Sequence, residues 1–297
     1  IITLTLMLAS AYSYAQRFDW VTSAGYSGVA NSYYGAIAIA RDSQGNLYTL
    51  DGANGVQQCQ GVKASPYPGG SNTFLYKFNA NGELQYIKPI GSNFIPLNIV
   101  VGENDNLYLL GALAGTPTLI INGVTFNVTE NRNYVLKFNA NGDLLWHVPN
   151  NQSFSGFSSA CMLHYHENHI YFQSGSLSIS SLDTSGQYVS TLTADSFIPS
   201  TAITSIYFKG SGTFSNGDLL FAAVSRGTLT YGSTTLIPVV ETGSVPLLML
   251  RTNDSLDFQL ATYVNGVGDP AENFIPLTIG NDNGIYVGVE VNSTLIA

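Results

Sequence analysis

Short runs of mostly apolar or alternating residues recur along the chain, separated by clusters of Asn, Asp, Gly and Ser. Such runs fit strands half-buried or buried on a sheet, and the intervening clusters fit turns. Residues 97–101 read as a mostly apolar strand, Glu103-Asn104-Asp105 as a polar turn, and 106–110 as a second strand ending at Gly111. A longer loop containing Thr118-Leu119-Ile120-Ile121-Asn122-Gly123-Val124 leads to a third strand over 134–138. Asn139-Ala140-Asn141-Gly142 then turns the chain into a fourth strand over 143–148. The Asn side chain closes its own turn and Gly takes the position that needs a positive φ. Asp42-Ser43-Gln44-Gly45 and Asp183-Thr184-Ser185-Gly186 repeat the device. No segment sustains a 3.6-residue apolar period, and helix capping signals are missing, so the expected class is all-β.

The pattern also repeats at long range. Lys77-Phe78-Asn79-Ala80-Asn81-Gly82-Glu83-Leu84 returns 60 positions later as Lys137-Phe138-Asn139-Ala140-Asn141-Gly142-Asp143-Leu144, and Asn46-Leu47-Tyr48 returns as Asn106-Leu107-Tyr108. Phe94-Ile95-Pro96-Leu97 reappears three such periods on as Phe274-Ile275-Pro276-Leu277. Four-stranded units at this spacing predict a β-propeller, because one such sheet cannot bury both faces and radial packing buries them. About four complete antiparallel blades are expected, near residues 35–90, 95–149, 158–193 and 201–263, with partial blades first and last. The opening partial blade is the strand Phe18-Asp19-Trp20-Val21, and the last begins at Phe274. A solenoid of stacked sheets is the alternative.

The residues Gly45-Asn46-Leu47-Tyr48 and the run from Tyr134 through Lys137-Phe138-Asn139 to Gly142-Asp143-Leu144-Leu145-Trp146 resemble the bacterial SBBP-type propeller repeat. In other copies the Trp is read as replaced by Tyr86, Tyr188 and Phe258. The resemblance spans almost the whole chain after residue 15. It implies a propeller and export, in many relatives through a type IX sorting domain, and it brings no catalytic residues with it.

Composition sharpens the compartment. Charged residues are 10% of the chain, against roughly 25% in ordinary soluble proteins. The surface is therefore built from Asn, Ser, Thr, Gly and Tyr, as suits an extracytoplasmic β protein. A net charge of −9 repels nucleic acid and anionic lipid, so neither is expected as a partner. Residues 1–15 read as a signal peptide without its n-region, cleaved after Ala15, and 16–297 as the propeller domain, incomplete at its C-terminus. No stretch approaches the ~18 apolar residues of a membrane span.

Candidate chemistry is sparse. Cys161-Met162-Leu163-His164-Tyr165-His166-Glu167-Asn168-His169 offers His164, His166 and His169 as metal ligands with Glu167 beside them. On a strand His164 and His166 share a face, while His169 sits at the following turn, where the repeat has Asn106. The repeat alone accounts for these positions, and that reading is favoured. Cys59 and Cys161 are the only cysteines, and their positions in the first and third blades argue against a disulfide. Asn281-Asp282-Asn283-Gly284 and Glu103-Asn104-Asp105-Asn106 superficially resemble calcium loops but fit turns. Four N-glycosylation patterns begin at Asn127, Asn151, Asn253 and Asn292. No nucleophile elbow, phosphate loop, dinucleotide fingerprint or zinc-protease helix motif occurs, so no catalytic residue and no cofactor are assigned. Tyr26, Tyr33, Tyr34 and Tyr67 fall in Ser- and Gly-rich loops and are the candidates for contact with a sugar or a protein. The expectation is an exported, non-enzymatic interaction or scaffold module at the cell surface. A propeller enzyme acting on polysaccharide or a small molecule, or an accessory to a separate catalytic domain, is the alternative.

Overall fold

The computed structural model describes residues 24–26, 38–68, 72–113, 118–127, 133–150, 162–175, 178–193, 205–226, 229–231, 234–237, 245–267 and 277–287. Four antiparallel four-strand units follow one another in chain order. The first blade is Ala38–Arg41, Leu47–Ala53, Asn72–Phe78 and Leu84–Ser92. The second is Phe94–Val101, Leu107–Leu113, Asn133–Phe138 and Leu144–Pro149. The third is Leu163–His166, His169–Gly175, Ser178–Asp183 and Tyr188–Thr193. The fourth is Ser205–Thr213, Leu219–Arg226, Val245–Thr252 and Phe258–Val267. Leu277–Ile279 and Ile285–Val287 pair as the opening of a fifth.

The first strand of each unit lies against the first strand of the next, from Ala38–Arg41 through Phe94–Val101, Leu163–His166 and Ser205–Thr213 to Leu277–Ile279. A row of inner strands with the sheets fanning outward is the propeller arrangement, and the expected blade boundaries hold within a few residues. The seams are apolar. Tyr48, Leu50, Leu75, Phe94, Leu109 and Leu136 form one buried cluster between the first two blades. Tyr108, Leu110, Val135, Leu163, Ile170 and Phe172 fill the next. Tyr171, Phe208, Phe221, Leu248 and Leu256 fill the third.

Among the described residues, seven turns share one backbone pattern, at 42–46, 79–83, 139–143, 183–187, 214–218, 253–257 and 280–284. The first residue's N–H donates to the fifth carbonyl, and the fourth N–H to the first carbonyl. The fourth residue therefore needs a positive φ, as at Gly142, where φ is 79°. Asn139 Oδ1 also accepts from the N–H groups of Asn141 and Asp143, which is the turn chemistry legible in the sequence. At 253–257 the position falls to Leu256 at φ 67°, whose side chain is buried in the seam between blades three and four.

Three corrections follow. The expected loop at 118–124 is a hairpin, Thr118–Ile121 with Val124–Asn127, turned by Asn122-Gly123 with both φ positive. It pairs with the outer strand of the first blade through Ile120–Ser92 and Ile121–Gly91, making that sheet six-stranded. Second, a register shift after the third strand's Lys137 moves the Trp146 position. The same shift in the later blades sets Ser190 opposite Ser181 and Leu260 opposite Arg251. Ser190 and Leu260, rather than Tyr188 and Phe258, are the counterparts of Trp146. Third, His169 opens a strand instead of lying in the turn. The turn is Glu167-Asn168. The strand expected at Phe18-Asp19-Trp20-Val21 and the signal peptide lie outside the described residues.

Candidate functional site

The polar residues of the repeat are organised by the seams. Tyr48, Lys77 and Tyr86 stand opposite one another on adjacent strands of the first blade. Lys77 and Tyr86 donate to the carbonyl of Ala140, in the outer turn of the next blade, at 3.4 and 3.2 Å, while the Tyr48 hydroxyl, 3.5 Å from that carbonyl, gives its one proton to Asp42 Oδ2 at 3.1 Å. One blade later, Lys137 Nζ and Trp146 Nε1 donate to the carbonyl of Thr184 at 2.8 and 3.0 Å. Lys137 also meets Glu103 at 2.7 Å, and Tyr108 donates to the same carboxylate. Burial opposes ionisation of Glu103, but the bonds from Lys137 and Tyr108 outweigh it and hold its carboxyl below the ordinary carboxylate range. In the third blade only the Tyr is kept, and Tyr171 donates to the carbonyl of Asp254 at 2.7 Å.

The three histidines lie in that third seam. His164, His166 and His169 share the blade face that carries Tyr171, and His166 stands directly opposite His169. His164 Nε2 bonds Thr213 Oγ1 of the fourth blade at 2.8 Å. Its burial, reinforced by His166 nearby, pushes it down to about 4, so it is neutral at physiological pH. His166 Nε2 and His169 Nδ1 are buried without a hydrogen-bond partner. His166 Nε2 points toward Gly217 of the fourth blade and lies 3.8 Å from Glu167 Oε1. Among the described residues no group of three His, Cys, Asp or Glu side chains is gathered to hold a metal ion.

Of the four tyrosines, Tyr33 and Tyr34 lie outside the described residues. Tyr26 ends a short strand, Ala24–Tyr26, paired with Gln57–Cys59, which in turn pairs with Val62–Ala64. This small sheet grows from the connection between the second and third strands of the first blade, and its turn at Gln60 binds Gly82 and Leu84 of that blade. Tyr67 follows it, with its N–H on Asn72 Oδ1 at 2.8 Å. Burial raises the Tyr67 phenol. Cys59 is buried in the same sheet, and Cys161 lies outside the described residues. The two calcium-like segments are turns: Gly280 closes on Gly284, and Glu103 is committed to Lys137. Asn253 holds its own turn through Asp257, with Nδ2 on the carboxylate.

One group escaped sequence reasoning. Asp51 lies on the blade-one face shared by the small sheet, and its Oδ1 is buried without a partner. Burial pushes its carboxyl up to about 6. Tyr76 lies within electrostatic reach of Asp51 and Cys59, and donates to Gln57 Oε1 at 3.0 Å. The only signal was one carboxylate inside an apolar strand, away from any turn.

No protein-family model matches the chain, and no curated protein of related sequence matches it. Solved structures with a similar course include a streptogramin B lyase, with 13% identity, 91% of this chain and 94% of that one covered, and a TM-score of 0.39. Virginiamycin B lyase from Staphylococcus aureus gives 10% identity, 90% and 88% coverage and a TM-score of 0.38. A Bacteroides caccae protein of unknown function gives 8% identity, 78% and 82% coverage and a TM-score of 0.37. Likeness at this level says nothing of activity.

Proposed function

We propose that the chain is an exported, non-enzymatic β-propeller that serves as an interaction or scaffold module at the cell surface. One observation carries this reading: the blades differ chiefly in the connection between their second and third strands. That connection becomes a hairpin in blade one (Gln57–Cys59 with Val62–Ala64), in blade two (Thr118–Ile121 with Val124–Asn127) and in blade four (Leu229–Tyr231 with Thr234–Ile237). In blade three only residues 176–177 separate the two strands. Variable hairpins on a repeated frame are how rigid scaffolds present recognition surfaces. Tyr67, which follows the first of these hairpins, suits stacking on a sugar or a protein surface, and Tyr26 ends the strand paired with that hairpin. The low charge content and the signal-like N-terminus support export.

A glycan array and a panel of chromogenic glycosidase, esterase and oxidase substrates test the reading on the purified chain. Saturable binding without turnover, weakened by Tyr67→Ala, is expected. Turnover that a single inner-strand substitution abolishes overturns it. Fusion of residues 1–37 to a periplasmic reporter tests export, and a reporter retained in the cytoplasm counts against it.

A further inference from the structure

We infer that the hairpin His166-Glu167-Asn168-His169 is a binding site for one borderline transition-metal ion, such as Zn²⁺, Cu²⁺ or Ni²⁺, held by His166 and His169. Two observations bring this about. The two imidazoles are direct cross-strand neighbours flanking a two-residue turn, a register that sets their Cβ atoms about 5 Å apart on one face. Each keeps a ring nitrogen, Nε2 of His166 and Nδ1 of His169, that is buried and bonded to nothing. Buried polar atoms are nearly always partnered, so two orphaned imidazole nitrogens on adjacent strands mark a site for an added ligand. Neutral imidazole nitrogen is a preferred donor for these ions.

His164 is not part of this set, although it shares the face. Its Nε2 is engaged with Thr213 across the seam, so its task is joining blades three and four. The pairing differs from the one that strand alternation suggests, which would couple His164 with His166. Glu167, exposed at the turn with Oε1 3.8 Å from His166 Nε2, supplies a carboxylate at the mouth and favours a cation there. Gly217 leaves room on the blade-four side, where even an added Cβ would stay 3.8 Å from His166 Nε2. Water completes the coordination of a site with so few protein donors.

Titration of the purified, tag-free chain with ZnCl₂, CuCl₂ or NiCl₂ by calorimetry tests the assignment, with unfolding temperature measured alongside. One equivalent is expected to bind, with affinity lowered at least about tenfold in His166→Gln and in His169→Gln and kept in His164→Gln. The metal should raise the unfolding temperature of the wild-type chain and not of His169→Gln. Absence of binding by the wild-type chain overturns the proposal. So does binding that survives both His166→Gln and His169→Gln, or binding lost in a His164→Gln chain whose circular dichroism shows it folded.

Discussion

The second and third blades follow one strand plan and reach their successors in opposite ways. Blade two presents a charged anchor: Lys137 lies over the Tyr108 ring, bonds Glu103 at 2.7 Å and crosses to the carbonyl of Thr184. Blade three has Ser181 at the Lys137 position and Ser190 at the Trp146 position. A ladder of hydroxyls runs across it, with Ser174 bonded to Ser178 and Ser180, Ser180 to Thr191, and Ser181 to Ser190. Among the described residues, its crossing to blade four is made by the neutral pairs Tyr171 to Asp254 and His164 to Thr213. The frame therefore needs the blade face satisfied, not any particular charge. Where charge is given up, imidazoles enter, and with them a response to pH.

The largest effect is expected where the charge sits. Lys137→Met leaves Glu103, four-fifths buried, without its cation and removes a donor from Thr184. Stranding one partner of such a pair costs about 3–5 kcal/mol. Urea unfolding should show this as a fall in midpoint with unchanged slope. A loss under 1 kcal/mol would make the blade-two anchor no stronger than the hydroxyl ladder and erase the contrast.

Acid separates the two seams. The folded chain depresses His164 from 6.5 to about 4, so the unfolded chain binds more protons across that window. Stability is then fully present above pH 6.5 and falls as pH drops toward 4, by roughly 3 kcal/mol from this one group. The groups around it are His166 on its own strand, Tyr171 and His169 opposite, and Thr213 from blade four. Glu103 is also depressed, from 4.5, so its contribution is lost only as pH falls below 4.5. Blade three should loosen first, about two pH units before blade two begins to. Hydrogen exchange resolved by segment at pH 5 checks this, and His164→Gln should flatten the dependence between pH 6.5 and 4.5. Equal protection of both seams at pH 5 would defeat the prediction.

What the sequence disclosed divides along a physical line. The blades and their turns were legible because Asn139, Asp42 and Asp183 make bonds with neighbours two and four residues away, so local residue types dictate the geometry. The register of the fourth strand was not, because the shift after Lys137, Ser181 and Arg251 displaces its pairing, and the aromatic Tyr188 and Phe258 lie near Ser190 and Leu260, the true counterparts of Trp146. The hairpin at 118–127 had its signal in Asn122-Gly123 between apolar residues, but its partner is the outer strand of the neighbouring blade, which a four-strand repeat does not indicate. The shared face of His164 and His166 followed from strand alternation. The pairing of His166 with His169, and the solitary Asp51, depend on contacts between strands that no single strand announces.

Smaller changes test how redundancy is distributed. Tyr171→Phe removes the hydroxyl that Asp254's carbonyl receives from blade three and should cost about 1.5 kcal/mol. Tyr86→Phe removes one of two donors converging on Ala140 and should cost less than about 0.5 kcal/mol, since Lys77 remains on the same carbonyl. Equal losses in urea unfolding would show that the shared acceptor gives the first seam no reserve.

The hydroxyl ladder tests coupling between two side chains instead of the loss of a single donor. Ser181 Oγ bonds Ser190 Oγ at 2.8 Å and also accepts from the Ser190 N–H at 3.2 Å, so the two residues are coupled across the outer strands. Ser181→Ala and Ser190→Ala should each cost about 1 kcal/mol, because each leaves the other hydroxyl without its partner. Removing both hydroxyls together leaves no stranded side-chain oxygen between them, so the double variant should lose about 1 kcal/mol less than the sum. The same cycle on Lys137 and Glu103 should give a larger coupling, because a stranded charge costs more to bury than a stranded hydroxyl. If the serine cycle is additive, the hydroxyls are merely packed side by side. Blade three would then be held by its apolar seam and by Tyr171 and His164 alone, and substituting either of these should unfold it more readily than any change in the ladder.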